Sequence, residues 1–155
     1  MRIVKLLPLA LGILLSVQAW ATEPRWVIMP DVQFRASGPE RRLWMPSPEQ
    51  VLDFDTAVRS YVEHQAKEAK HDLHKRQFAY ILSHWDSYAC QVTGEISEQT
   101  QVVVLSFFPR DYRAQDGFDW RTTKVSVKGG GASFFYVSYD PVGKVFRSIW
   151  INSPR

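Results

Sequence analysis

The C-terminal third of the chain alternates between apolar and polar positions with a period of two. Three runs rich in β-branched and aromatic residues, 125–128, 132–139 and 144–152, are separated by two turn signals. The first turn contains three adjacent glycines at 129–131, and the second is the Asp-Pro-Val-Gly sequence at 140–143. Glycine reaches positive φ angles and proline presets the first turn position. The pattern therefore predicts a three-stranded antiparallel meander over residues 125–152.

Two further strands are predicted before this meander, at 88–95 and 101–108. The second is apolar on both faces, which is typical of a strand covered on both sides. In the first, Tyr88, Cys90 and Val92 share the more apolar side. The chain has a single cysteine, so we expect Cys90 to be packed as a small apolar side chain rather than bridged or reactive.

A helix is predicted to begin at Ser47. Ser47 can cap the helix, Pro48 fits its first position, and Gln50 completes a capping box. Apolar residues then recur at helical spacing as far as Trp85, with a break near His71. This pattern predicts either one long helix or two successive helices.

Three regions follow from these patterns. Residues 1–21 combine a positive start, an apolar run and an Ala-Trp-Ala end, which predicts a cleaved signal peptide, no stable membrane anchor after cleavage, and a periplasmic or secreted product. Residues 22–46 contain several prolines and are expected to form an extended N-terminal arm. Residues 47–155 are predicted to form a single α+β domain, in which the helix or helices pack on a curved antiparallel sheet of about five strands.

Helices can cover only one face of such a sheet. The apolar content of the arm favours the arm as the cover of the other face. A dimer contact and a binding surface are the alternatives.

The charge balance argues against nucleic acid as a partner. Two of the 19 basic side chains, Arg2 and Lys5, leave with the signal peptide, so 17 basic side chains remain against 16 acidic ones. A nearly neutral chain creates no broad field for an anionic polymer.

Three pieces of residues 88–152 resemble a group of short, exported bacterial proteins of uncharacterised function. They are Tyr88-x-x-Gln91-x-x-Gly94, then Gly130-Gly131 leading into Phe134-Phe135-Tyr136-Val137-Ser138-Tyr139-Asp140, and the ending Phe146-x-x-Ile149-Trp150-Ile151-Asn152. In that group the ending continues as Asn-Gly, whereas Ser153 follows Asn152 here. The resemblance implies a cystatin-like or NTF2-like roll, a fold that some exported inhibitors and immunity proteins share, and it implies no catalytic residue.

The motifs that would carry other chemistry are weak. The three glycines follow Lys128 and lead into a strand, whereas a phosphate-binding loop leads into a helix, so no nucleotide cofactor is predicted. His64, Glu68 and His71 are spaced to lie on one helix face and are candidate metal ligands. Their charged surroundings favour a solvated face instead, so we predict no bound metal.

The residue types that dominate protein interfaces are concentrated in the loop predicted at 109–121. The candidate contact residues are Arg110, Asp111, Tyr112, Arg113 and Trp120. We therefore expect an exported, non-enzymatic protein that binds a protein partner, as an inhibitor or immunity protein does. One alternative is that Phe118 and Trp120 pack in the core; another is a small enzyme or ligand-binding domain that uses the concave face of the roll.

Overall fold

The structure, a computed structural model, describes residues 25–30, 42–51, 54–97 and 100–154. The described chain is an α+β domain with one mixed sheet. Its helices are α1 (Pro48–Val51), α2 (Phe54–Glu68) and α3 (Asp72–Ser83). Its strands are β1 (Trp26–Ile28), β2 (Arg42–Trp44), β3 (Tyr88–Ser97), β4 (Thr100–Pro109), β5 (Phe135–Asp140) and β6 (Val145–Ile151).

The sheet has the strand order β1-β3-β4-β5-β6, and β2 also pairs with β3. The two short strands of the arm share one edge of β3: β1 runs parallel beside residues 90–92, and β2 runs antiparallel beside residues 94–96. The prediction of an antiparallel sheet is therefore wrong for β1. A parallel pair needs a long crossover, and here the connection between β1 and β3 contains the helices.

The helical region begins as predicted. The backbone N–H of Ser47 donates to Oε1 of Gln50 at 2.8 Å, and the Gln50 N–H donates to the Ser47 hydroxyl at 3.4 Å. These two bonds are the reciprocal pair of a capping box. Helical structure is interrupted between Glu68 and Asp72, so α2 and α3 are successive helices rather than one.

The main core lies between the helices and one face of the sheet. Val58 and Val62 of α2 and Phe78 and Ile81 of α3 are buried against it. The sheet contributes Cys90, Val92, Leu105, Phe107, Phe135 and Val137. Cys90 is only 4% exposed, which confirms the prediction that it is packed.

The predicted first strand of the meander, 125–128, is wrong. These residues have irregular backbone, and only β5 and β6 pair in this part of the chain. Two of their backbone groups bond instead to side chains of β3 and of the residue that follows β6: the Val125 N–H donates to Oε1 of Gln91, and the Val127 carbonyl accepts from Nδ2 of Asn152. Buried backbone N–H and C=O groups that are hydrogen-bonded to side chains do not require pairing with a neighbouring strand.

The signal peptide predicted at 1–21, and residues 22–24 and 31–41 of the arm, lie outside the described residues. Among the residues the structure does describe, no helix combines the length and the apolar character needed to cross a bilayer.

Candidate functional site

Residues 110–134, here called the cover segment, pack mainly on the face of the sheet opposite the helices, and at 131–133 the segment turns to contact α3 and the main core. Trp120 and Val125 of this segment are buried against Ala89 and Phe108 of the sheet. These residues form a second, smaller core on this face of the sheet. The expectation that the N-terminal arm covers this face is wrong for the described residues, because Val27 is the one described residue of the arm that packs in this second core. The described parts of the arm contribute edge strands, whose backbone is satisfied in the plane of the sheet.

Gln91 on β3 forms hydrogen bonds to the middle of the cover segment. Its side chain is 1% exposed and points away from the main core. Its Nε2 donates to the carbonyls of Trp120 at 2.6 Å and Thr123 at 2.7 Å, and its Oε1 accepts from the Val125 N–H at 2.9 Å. A buried amide makes four bonds at most, so this one is nearly saturated by one short stretch of backbone.

Asn152 holds the next stretch of the cover segment. Its Nδ2 donates to the carbonyls of Val127 at 2.8 Å and Gly129 at 2.9 Å. Gly130 then takes a φ of 85°, and a Cβ there would lie 2.5 Å from the Phe134 ring. Glycine is the residue that tolerates both conditions.

Tyr88 holds the end of the cover segment. Its hydroxyl donates to the Ala132 carbonyl at 2.7 Å. Burial, with a smaller contribution from the nearby Tyr80, raises the pKa of Tyr88 well above its usual range. The hydroxyl therefore stays protonated and remains a donor at any physiological pH.

Three of the residues that carry the sequence resemblance thus share one structural role, which is hydrogen bonding to the backbone of the cover segment. Tyr88, Gln91 and Asn152 each reach from the sheet to backbone carbonyls of the cover segment. Sequence analysis quoted all three in motifs but assigned none of them this role. The available signal was a polar residue, Gln91, between apolar neighbours in a strand.

Two of the predicted contact residues are part of the second core. Trp120 is 6% exposed, and its ring meets Phe108 edge-on with 5.6 Å between centroids. The Tyr112 ring makes similar contacts with Phe118 at 5.7 Å and Phe134 at 5.4 Å. Trp120 is therefore packed in the core, the alternative that the sequence left open for it, whereas Tyr112 is only partly buried and its predicted contact role stays a prediction.

The other three predicted contact residues are exposed together. Arg110, Asp111 and Arg113 lie at the start of the cover segment, where β4 ends in a turn. The Arg110 N–H donates to the Ser87 carbonyl at 2.8 Å, and the Tyr112 N–H donates to the Pro109 carbonyl at 2.9 Å. The backbone beneath these three side chains is therefore held in place.

A cleft of about 330 Å³ adjoins this turn and includes Arg110 and Asp111 in its lining. Its opposite wall is His84 stacked on Tyr80, with ring centroids 4.2 Å apart. His84 Nδ1 lies 2.9 Å from the Tyr80 carbonyl oxygen. Since a carbonyl only accepts, this hydrogen bond requires a proton on Nδ1.

The three candidate metal ligands do not lie on one helix face. His64 and Glu68 are exposed on α2, but His71 lies beyond the end of that helix. Helical spacing therefore no longer places the three on one face. Within the described ranges, no group of three His, Cys, Asp or Glu side chains is close enough to hold a metal ion.

Comparison of the chain with family models, with curated proteins and with solved structures gives no match in any of the three.

Proposed function

We propose that the mature chain is an exported, non-enzymatic protein that binds a protein partner through Arg110, Asp111 and Arg113. Action as an inhibitor or as an immunity protein fits this description. For the fold we propose a cystatin-like or NTF2-like roll, which the packing of the helices on one face of the sheet supports.

The observation that supports the proposal is that Arg110, Asp111 and Arg113 are exposed together on a turn whose backbone is held by hydrogen bonds. Arg110 and Arg113 flank Tyr112, whose ring is locked among three aromatic side chains. Binding costs less conformational entropy when the contact residues are preorganised. Arginine is also one of the residue types that contribute most at interface hot spots.

The enzyme alternative has weaker support. The cleft beside Arg110 is lined by one imidazole, His84, and one carboxylate, Asp111, and both side chains are exposed. Acid–base chemistry relies on groups whose pKa values are tuned by burial or by close neighbours, usually in a site that excludes water.

The test is affinity capture from the native envelope fraction, with the mature protein as bait. We compare wild type with Arg110→Ala/Arg113→Ala and, as the matched control, with Arg76→Ala, which removes an exposed arginine from α3. Any captured protein is purified and its affinity for each variant is measured by calorimetry.

The loss of a hot spot of about 2 kcal/mol predicts binding roughly 30-fold weaker for the double variant. The control should match wild type, and all three proteins should unfold at the same temperature. Full affinity in the double variant would show that this turn is not the contact surface.

A further inference from the structure

Among the strands of the described residues, β6 lies at one edge of the sheet. The direction of its backbone N–H and C=O groups follows from one hydrogen bond. The Asn152 N–H donates to the Phe134 carbonyl at 3.0 Å, in the same register in which Ile151 lies opposite Phe135. Residues of an antiparallel pair alternate between facing the partner strand and facing away from it. The N–H and C=O groups of Ile149 and Ile151 therefore point outward from the sheet.

The two halves of β6 differ in how readily each could pair with an additional strand. The first half is irregular: the register shifts next to Tyr139, and Arg147 forms an ion pair with Asp140 across the shift. Bulges and charges of this kind discourage strand addition. Residues 148–151 lie beyond the irregularity and continue in regular register, so this half has no such protection.

A groove of about 530 Å³ runs between this half of β6 and the junction of α2 with α3. Its floor at the strand is Ile149, Trp150 and Ile151, and the charged side chains on the helix side are Lys70 and Glu68, beside His71 and His74. Ile149 and Ile151 turn their side chains to the main core, so the groove borders their outward backbone groups. The Trp150 side chain lies on the opposite face of the sheet beside Tyr136 and is 56% exposed.

The helix junction beside the groove carries a net positive charge, which favours a negatively charged occupant. Residues 67–76, which form the helix junction, carry four basic and two acidic side chains as well as two histidines. Residues 142–154 carry two basic side chains and no acidic one.

We propose that residues 148–151 of β6 accept an extended acidic segment of a partner protein as an additional strand. The backbone of the segment bonds to Ile149 and Ile151, as in other complexes formed by strand addition. Its acidic side chains face Lys70 in the groove, and its alternate, apolar side chains pack beside Trp150. This surface is separate from Arg110 and Arg113, so the proposal goes beyond the function proposed above and can fail without it.

The probe is a fluorescein-labelled peptide of alternating glutamate and valine, whose binding to the mature protein is followed by fluorescence anisotropy. Matched peptides replace glutamate with lysine, or carry N-methyl groups on alternate backbone amides in each of the two possible registers. The protein variants are Lys70→Glu and, as the control with the same charge change on the cover segment, Lys128→Glu, both at exposed positions.

We expect the glutamate peptide to bind and the lysine peptide to bind at least tenfold more weakly. One N-methyl register should lose binding at least tenfold, while the other retains it, because only alternate amides of an added strand face β6. Lys70→Glu should weaken binding about tenfold and Lys128→Glu less than twofold.

Three results would overturn the proposal. They are the absence of binding by the glutamate peptide, equal binding by both N-methyl registers, and equal effects of the two charge reversals. The second and third would show diffuse electrostatic attraction rather than strand addition.

Discussion

Replacing Gln91 with methionine should detach the cover segment from the sheet. Methionine is similar in length and volume, so the exchange leaves little cavity, but it offers no strong donor or acceptor. The three backbone groups that Gln91 satisfies, at Trp120, Thr123 and Val125, would lose their partner.

The size of the effect follows from the burial of those groups. Trp120 and Val125 are each 6% exposed, whereas Thr123 is exposed, so its carbonyl can turn to water. Two buried unsatisfied groups cost about 1–3 kcal/mol each. We therefore expect a loss of about 2–6 kcal/mol, a large share of the roughly 5–15 kcal/mol that stabilises a typical domain.

Urea unfolding followed by circular dichroism measures the loss, and hydrogen exchange over residues 120–131 shows whether the segment opens locally. Gln101→Met, an exposed position on β4, is the matched control and should stay within about 0.5 kcal/mol of wild type. If Gln91→Met is as stable as that control and its cover segment remains protected from hydrogen exchange, the hydrogen bonds of Gln91 are not what holds the cover segment on the sheet.

Three further predictions concern other parts of the fold. Gly94→Ala would place a Cβ 2.4 Å from the carbonyl oxygen of Trp44, so we expect β2 to separate from β3 and stability to fall by about 1–3 kcal/mol, measured by urea unfolding; wild-type stability would contradict the close approach. The carboxylate of Asp140 has its pKa lowered chiefly by the hydrogen bond from Gly143, so its contribution is present above the ordinary carboxyl pKa and is lost as pH falls through the lowered value. The stability difference between wild type and Asp140→Asn should therefore be constant near neutral pH and shrink steadily as the pH falls below about 5, and a difference that stays constant in acid would exclude the linkage. Cys90, at 4% exposure, should react with a thiol reagent at least about 100-fold more slowly in the native protein than in denaturant, and equal rates would show that it is accessible.

Local signals account for the parts of the fold that sequence analysis predicted. The capping box at Ser47 and the burial of Cys90 each depend on residues within a few positions of one another. The β3–β4 pair also followed from the alternation in the first strand and the continuous apolar run in the second, on either side of a short connection. The parallel pairing of β1 could not be predicted in this way, because it joins residues that are more than sixty positions apart.

The candidate site was predicted only in part, for a similar reason. The composition of residues 109–121 pointed to the exposed Arg110 and Arg113, but it could not separate them from the packed Trp120. That distinction depends on Gln91, which draws the backbone of Trp120 onto the sheet from 29 positions away. The β-branched residues at 125–128 suggested a strand, and the same long-range bonds override that local preference.

The central claim is that Arg113 and its neighbours face a protein partner, and site-specific photocrosslinking in intact cells tests it most directly. A photoreactive phenylalanine derivative is introduced at position 113 of the full chain or, as the control, at position 76 on α3. The account predicts one discrete adduct of higher mass from position 113 and none from position 76. The absence of an adduct from position 113, or the same adduct from both positions, would contradict it.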